Sequence, residues 1–262
     1  MEYNSDFYMI LPSNVLTDAY LDNKTSDYHT PMPQPINLTG GKWECALTEI
    51  FYPHTWYNIK GPLTQFEIRY TSGSKRQRSS LEIPKGYYTP SSFVEQFNKT
   101  LARVNTFHGR LEFIPAWGHL VITLNKGESI TIHQDLSQML GFVRKVFRRR
   151  KDSEDDVLLI ASGKSVDLNA SLHQIYIYSD IINETLVGNK FVPLLRIVNV
   201  RGSFGENIYT AFQDLHYVEV KTLTINSIEI TLRDDQGNPV PFQYGKVIAK
   251  LHFRRRRNNI LL

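Results

Sequence analysis

The chain has one cysteine, Cys45, in 262 residues. A lone thiol excludes an internal disulfide framework and any zinc site built on several cysteines. Cys45 itself reads as a small buried core residue rather than a nucleophile. No apolar run reaches the roughly 18 residues that a membrane span requires, so none is expected. The opening Met1-Glu2-Tyr3-Asn4-Ser5-Asp6 carries no basic stretch and no long apolar stretch. No secretory signal is therefore expected, and the chain reads as made in a reducing compartment. Excess charge is scarce too: 30 Lys and Arg stand against 26 Asp and Glu. Without Arg254, Arg255, Arg256 and Arg257 the two signs balance, so the net +4 sits in one short run near the end.

Catalytic signatures are equally thin. Gly163-Lys164-Ser165 resembles the end of a phosphate-binding loop, but the glycine that the loop needs five residues earlier is Leu158. There is no His-Glu-x-x-His and no Gly-x-Ser-x-Gly. His173, His216 and His252 lie on late strand-like segments, yet they read as core or edge histidines rather than as a cupin-type metal set. No catalytic residue, metal ligand or cofactor is expected.

What the chain does have is apolar mass and rings. Hydrophobic residues make up 41% and aromatics 12%, enough apolar surface to exclude disorder as the main state and to favour strands. Phe7–Leu11 is a short apolar run closed by Pro12, and Trp43–Tyr52 nearly alternates until Pro53. Phe66–Tyr70 alternates and ends in a Ser-Gly-Ser turn, with a shorter piece at Leu81–Ile83. Then Thr89 and Pro90 mark a helix start, followed by Phe93, Phe97, Leu101 and Val104 at helical spacing. Strands near 111–114, 120–124 and 129–133 follow. Asp135 caps a second helix, Leu136–Leu140, which Gly141 stops.

The mixed order over 85–143 predicts an α/β subdomain inserted into a β-sandwich made of 1–84 and 144–262. The charged stretch from Arg144 to Asp156 reads as a solvated linker, with a nucleic-acid contact as the lesser reading. Strand patterns resume at His173–Tyr178, Leu194–Val200, Leu215–Val220, Leu223–Leu232 and Lys246–Phe253. The continuous apolar run of Leu194–Val200 predicts burial on both faces. Eight or nine sandwich strands joined by long loops favour a Greek-key sandwich of the jelly-roll type. The predicted fold is mainly β: a single jelly roll with an inserted small α/β subdomain.

Two features point outward. Tyr52, His54, Trp56 and Tyr57 put amphipathic rings in a loop, where they suit a protein–protein contact unless Trp56 tucks under its own sandwich. Arg254–Arg257 should project beyond the last strand and stay solvated unless an anionic partner compensates them. A nucleic-acid module using that tail is one alternative function. A carbohydrate-binding jelly roll recruiting Asp180, Asn183, Trp56 and Asn58 is another.

The order of several short motifs resembles the minor capsid proteins of Polinton (Maverick) elements and adintoviruses. They are Phe7-Tyr8-Met9-Ile10-Leu11-Pro12-Ser13-Asn14, Trp43-Glu44, Leu47–Ile50, Tyr52–Trp56, Leu140-Gly141-Phe142, Tyr176–Ile181, Val187-Gly188, Leu194-Leu195-Arg196 and Leu251–Arg254. The resemblance implies a penton: a single jelly roll standing as a homopentamer at the five-fold vertices of an icosahedral virion. By the same resemblance it would be made inside the host cell and meet the major capsid protein of the same shell. In that setting the arginine run would meet packaged DNA or an acidic face of a neighbouring capsid protein.

Overall fold

The computed structural model describes residues 6–15, 21–148, 157–169 and 172–256. In chain order these form β1 (Phe7–Pro12), β2 (Asp27–Asn37), β3 (Trp43–Pro53), β4 (Gln65–Ser72), β5 (Lys75–Glu82), α1 (Pro90–Leu101), β6 (Arg110–Ile114), β7 (His119–Asn125) and β8 (Ser129–Ile132). There follow α2 (Gln134–Met139), β9 (Val146–Arg148), β10 (Val157–Ala161), β11 (Gln174–Ser179), β12 (Thr185–Val187), β13 (Lys190–Val192), β14 (Leu194–Asn199), β15 (Asn207–Ala211), β16 (Val218–Glu219), β17 (Thr224–Arg233) and β18 (Ile248–Arg255). The chain divides into two compact units, Met1–Trp56 with Ser171–Leu262, and Tyr57–Ala170.

The first unit holds two sheets, ordered β1-β18-β3-β15 and β14-β11-β17-β2, with β16 also paired to β3. Setting aside the short β12–β13 ribbon and β16, eight strands remain. The first pairs with the last, the second with the seventh, the third with the sixth and the fourth with the fifth. All four pairings are antiparallel, so the chain is one long ribbon folded over on itself, which is the jelly-roll arrangement. Both sheets bury one face against a shared core that includes Leu47, Ile50, Ile177, Ile230 and Leu251. Phe7 stacks on Phe253 at 4.8 Å between centroids, joining the first strand to the last.

One strand arises here that no sequence pattern announces, and one reading changes. Strand β2 carries Pro31, Pro33 and Pro35, a composition that reads as non-strand. It forms because β2 is the edge of its sheet, so a missing N–H on the open side leaves no ladder bond unmade. Conversely, β14 is not buried on both faces. It too is an edge strand, with a register shift opposite it, and Ile197 is left 39% exposed while Leu195 and Val198 face the core.

The second unit is wider than residues 85–143. Its sheets are β5-β4-β8-β9 and β10-β7-β6. The strands on either side of 85–143 pair within this unit: β4 with β8, and β10 with β7. Side-chain direction explains why. Phe66, Ile68 and Tyr70 point to one face of β4 and join a core of Phe93, Phe97, Leu111, Ile122, Ile130 and Phe147. That core is separate from the sandwich core, so 57–84 and 144–170 belong with the insert. The stretch read as a linker after Arg144 contributes β9, whose Phe147 is buried against Phe142. Arg149–Asp156 lie outside the described residues.

Both helices start near their predicted positions. Thr89 caps α1 through the backbone N–H of Ser92, whose hydroxyl reciprocates to the Thr89 N–H at 2.9 Å. Helix α2 is capped by His133 rather than Asp135. It ends at Met139, and two residues on at Gly141 φ is +79° and a Cβ would sit 2.0 Å from the Lys164 carbonyl oxygen, so only glycine fits. No helix among the described residues is long and apolar enough to cross a membrane.

Candidate subunit interface

The rings expected at an exposed loop are mostly interior. Tyr52 ends β3 fully buried, and His54 and Trp56 are each 3% exposed. The His54 ring stacks on Trp56 at 4.1 Å, and Trp56 meets Phe242 edge-on at 5.8 Å. Their backbone is held as well: His54 N–H donates to the Glu206 carbonyl and its own carbonyl accepts from Gly205. Burial holds the His54 imidazole below its ordinary pKa and raises the Tyr52 phenol. This corrects the expectation of a ring-bearing contact loop, because rings this size bury more area under the sandwich than a loop tip can offer. Tyr57 is half-buried and begins the second unit.

The arginine run is also placed differently. Arg254 and Arg255 are the last residues of β18, paired in register with Glu44 and Trp43. Arg254 Nη2 lies 3.0 Å from Glu44 Oε2, and its guanidinium covers the Tyr217 ring at 3.4 Å. Arg256 reaches Glu44 at 3.8 Å and Glu219 at 3.4 Å, and Lys42 holds Glu219 at 2.8 Å. Lys42, assisted by Arg256, keeps the Glu219 carboxyl below the usual carboxylate range. Arg255 turns to the other side, its guanidinium lying against Gly40, where a Cβ would meet it at 2.8 Å. The expected free projection is therefore corrected for Arg254 and Arg256: β18 runs on past Phe253 and sets them opposite acids already on β3 and β16. Arg257 lies outside the described residues.

On the same outer face the register builds a graded surface. At the charged end are Arg254, Glu44 and Glu219. Next comes His252, with Tyr8 stacked on it at 4.4 Å. His252 meets Asp6 Oδ2 through Nε2 at 3.1 Å and Tyr217 Oη through Nδ1 at 2.7 Å. An ionised Asp6 can only accept, so Nε2 is the donor in that pair. The next row pairs Ile10 with Lys250, and Lys250 with Glu49 at 2.5 Å. The hydrogen bond from Lys250 lowers the Glu49 carboxyl. The last row, Pro12, Ile248, Phe51 and Tyr209, is apolar across all four strands.

Tyr8, Ile10 and Tyr209 stand 57%, 64% and 62% exposed on this face. None was singled out from sequence, although a signal was present. Phe7–Leu11 is apolar on both alternating sets, and a strand of a two-sheet sandwich turns only one of them to the core. A strand with two apolar faces at a sheet edge leaves one face for something else.

The carbohydrate reading loses its platform. Among the described residues no three His, Cys, Asp or Glu side chains gather where they could hold a metal. Trp56 cannot serve as a carbohydrate platform while buried, Asp180 accepts from the Glu229 backbone N–H at 2.8 Å, and Asn58 is turned onto Tyr88. Cys45 is fully buried, and burial pushes its thiol far above the ordinary range.

The class defined by this architecture is a jelly roll interrupted, between its third and fourth long strands, by a unit with its own core. The chain is similar to the mavirus penton protein, known from a crystal structure, at 12% identity and a TM-score of 0.51 over 95% of this chain and 99% of that one. It is also similar to a chain of the Sputnik virophage cryo-EM structure, at 10% identity and a TM-score of 0.49 over 97% of this chain and 98% of that one. No protein-family profile and no curated protein sequence matches. The first likeness establishes a shared fold over nearly the whole chain, the fold that the sequence resemblance implied.

Proposed function

We propose that this chain is a structural capsid protein, a penton that assembles as a homopentamer at the five-fold vertices of an icosahedral virion and abuts the major capsid protein there. The observation that carries the reading is the nested eight-strand jelly roll, interrupted by a separate unit and matched over nearly its whole length by the mavirus penton protein. The role is one of assembly rather than catalysis. A ring interface is heterologous and needs two different surfaces on each copy. The outer face of the β1-β18-β3-β15 sheet, with Tyr8, Ile10 and Tyr209, supplies one of them. Its apolar rows give area, and the Lys250–Glu49 and Arg254–Glu44 pairs give register.

Native mass spectrometry of the full chain over a concentration series tests this. The expected species is five times the 30.3 kDa of one chain. Ile10→Glu with Tyr209→Glu should return it to a folded monomer with an unchanged circular dichroism spectrum, since both side chains are exposed in the single chain. A chain that stays monomeric across concentration, salt and pH, and is absent from particles when co-expressed with a major capsid protein, overturns the reading.

A further inference from the structure

The second unit carries a basic surface of its own. In the β5-β4-β8-β9 sheet, Phe66, Ile68, Ile130 and Phe147 face the core. The alternate residues therefore face away. Register then aligns four positions across all four strands: Arg78 opposite Arg69, Arg69 opposite Ser129, and Ser129 opposite Arg148. Arg76 stands on the same side of β5, two residues from Arg78. All four arginines are exposed. Exposed Lys75, Arg144 and Lys145 flank the row in sequence.

Among the described residues, few acids oppose them. Glu67 lies inside the group and is shared by Arg69, at 2.9 Å, and Arg78. Glu82 points the same way but stands four residues from Arg78, about 13 Å along the strand, beyond the ~10 Å Debye length at 0.1 M salt. Glu128 is buried and turned onto the backbone N–H groups of His108 and Asn125. This differs in kind from the Arg254–Arg256 cluster, where Lys42, Arg254 and Arg256 meet two carboxylates at contact distance.

We propose that this sheet face binds the phosphate backbone of duplex DNA, independently of base sequence, through Arg69, Arg76, Arg78 and Arg148. Strands about 4.8 Å apart and alternate residues about 6.8 Å apart set guanidinium groups on a two-dimensional grid, suited to a polymer with closely repeated anions. The guanidinium fork pairs with phosphate oxygens bidentately. No aromatic side chain stands among the outward positions of the row, so neither base stacking, as on a single strand, nor a sugar platform is offered. The face recognises charge and spacing alone. This inference does not rest on the capsid reading, since it requires neither a pentamer nor a shell.

The test is fluorescence anisotropy with the full chain and a labelled 30-base-pair duplex between 50 and 300 mM NaCl. Four arginines less Glu67 leave about three net contacts, so log affinity against log salt should have a slope near −2.7 at about −0.9 per contact. Arg76→Ser/Arg78→Ser/Arg148→Ser should abolish that slope. Glu67→Gln should steepen it by about 0.9 and tighten binding. Arg254→Ser/Arg255→Ser/Arg256→Ser should leave it unchanged. Circular dichroism melting confirms that each variant folds, and the gain in Glu67→Gln does not depend on a loss of structure. Absence of wild-type binding at 50 mM NaCl overturns the proposal, as does an unchanged slope in the sheet variant. Binding to a sulfated oligosaccharide of matched charge tenfold tighter than to the duplex overturns the DNA assignment. The outcome leaves the pentamer measurement untouched, so either reading can fail alone.

Discussion

Phe97 provides a sharp test of the claim that the second unit has a core of its own. It sits on the inner face of α1, 2% exposed, stacked on Phe66 of β4 at 4.4 Å and near Phe93 at 5.7 Å. Truncation to alanine removes the ring and leaves a cavity that a helix pinned at Thr89 cannot collapse around. Buried Phe-to-Ala changes cost about 3–5 kcal/mol. Each lost ring pair adds about 0.5–1.5 kcal/mol beyond burial, which places Phe97→Ala at the upper end of that range. Phe97→Leu retains most of the volume, so a cost of about 1.5 kcal/mol or less is expected for it, in line with near-isosteric core exchanges. The assay is equilibrium urea denaturation followed by far-ultraviolet circular dichroism, with Phe253→Ala as the matching change in the sandwich core. If the units have separate cores, the two substitutions shift different parts of the transition. A loss below about 1 kcal/mol for Phe97→Ala would refute the reasoning. So would a Phe97→Ala profile that coincides with that of Phe253→Ala throughout.

Further outcomes follow from the same geometry. His54 is buried and its folded pKa lies below the ordinary 6.5, so the unfolded chain binds the extra proton. Stability from this site is complete above pH 6.5 and falls as pH drops from there toward the folded value; His54→Gln should flatten the melting temperature between pH 5 and 7. The carboxyls of Glu67 and Glu49, lowered first by hydrogen bonds from Arg69 and Lys250, contribute stability above the ordinary carboxylate pKa that is lost on acidification through their depressed values. Both sit at the protein surface in contact with solvent, so Glu49→Gln should trim the acid limb of the melting curve only slightly. Gly141→Ala should destabilise clearly, because the new methyl meets backbone and the residue holds φ at +79°; thermal melting of the variant measures this.

The sequence by itself determined the local elements and the fold class. Alternation drew β3, β4, β11 and β17 nearly to their ends, and Thr89-Pro90 with Phe93, Phe97 and Leu101 drew α1. These signals are short-range: a pleat repeats every two residues and a helix every 3.6, so neighbours in sequence carry them. Tertiary structure decided which strands share a sheet. The alternation of Phe66, Ile68 and Tyr70 says that one face is buried but not against what, and only pairing with β8 assigns β4 to the insert. It also decided exposure. The same ring-rich run, Tyr52–Trp56, would suit a surface or an interior, and burial against Phe242 and the 205–206 turn chose the interior. Charge followed the same rule. Four consecutive arginines look like the dominant basic feature, yet β18 register sets two of them against Glu44 and Glu219. Arg69, Arg76 and Arg78 share one hairpin, but Arg148 lies 70 residues past Arg78 and joins them only because β9 pairs with β8 and β8 with β4. Sequence distance orders charges along a line; strand register arranges them on a surface, and the surface is what a partner meets.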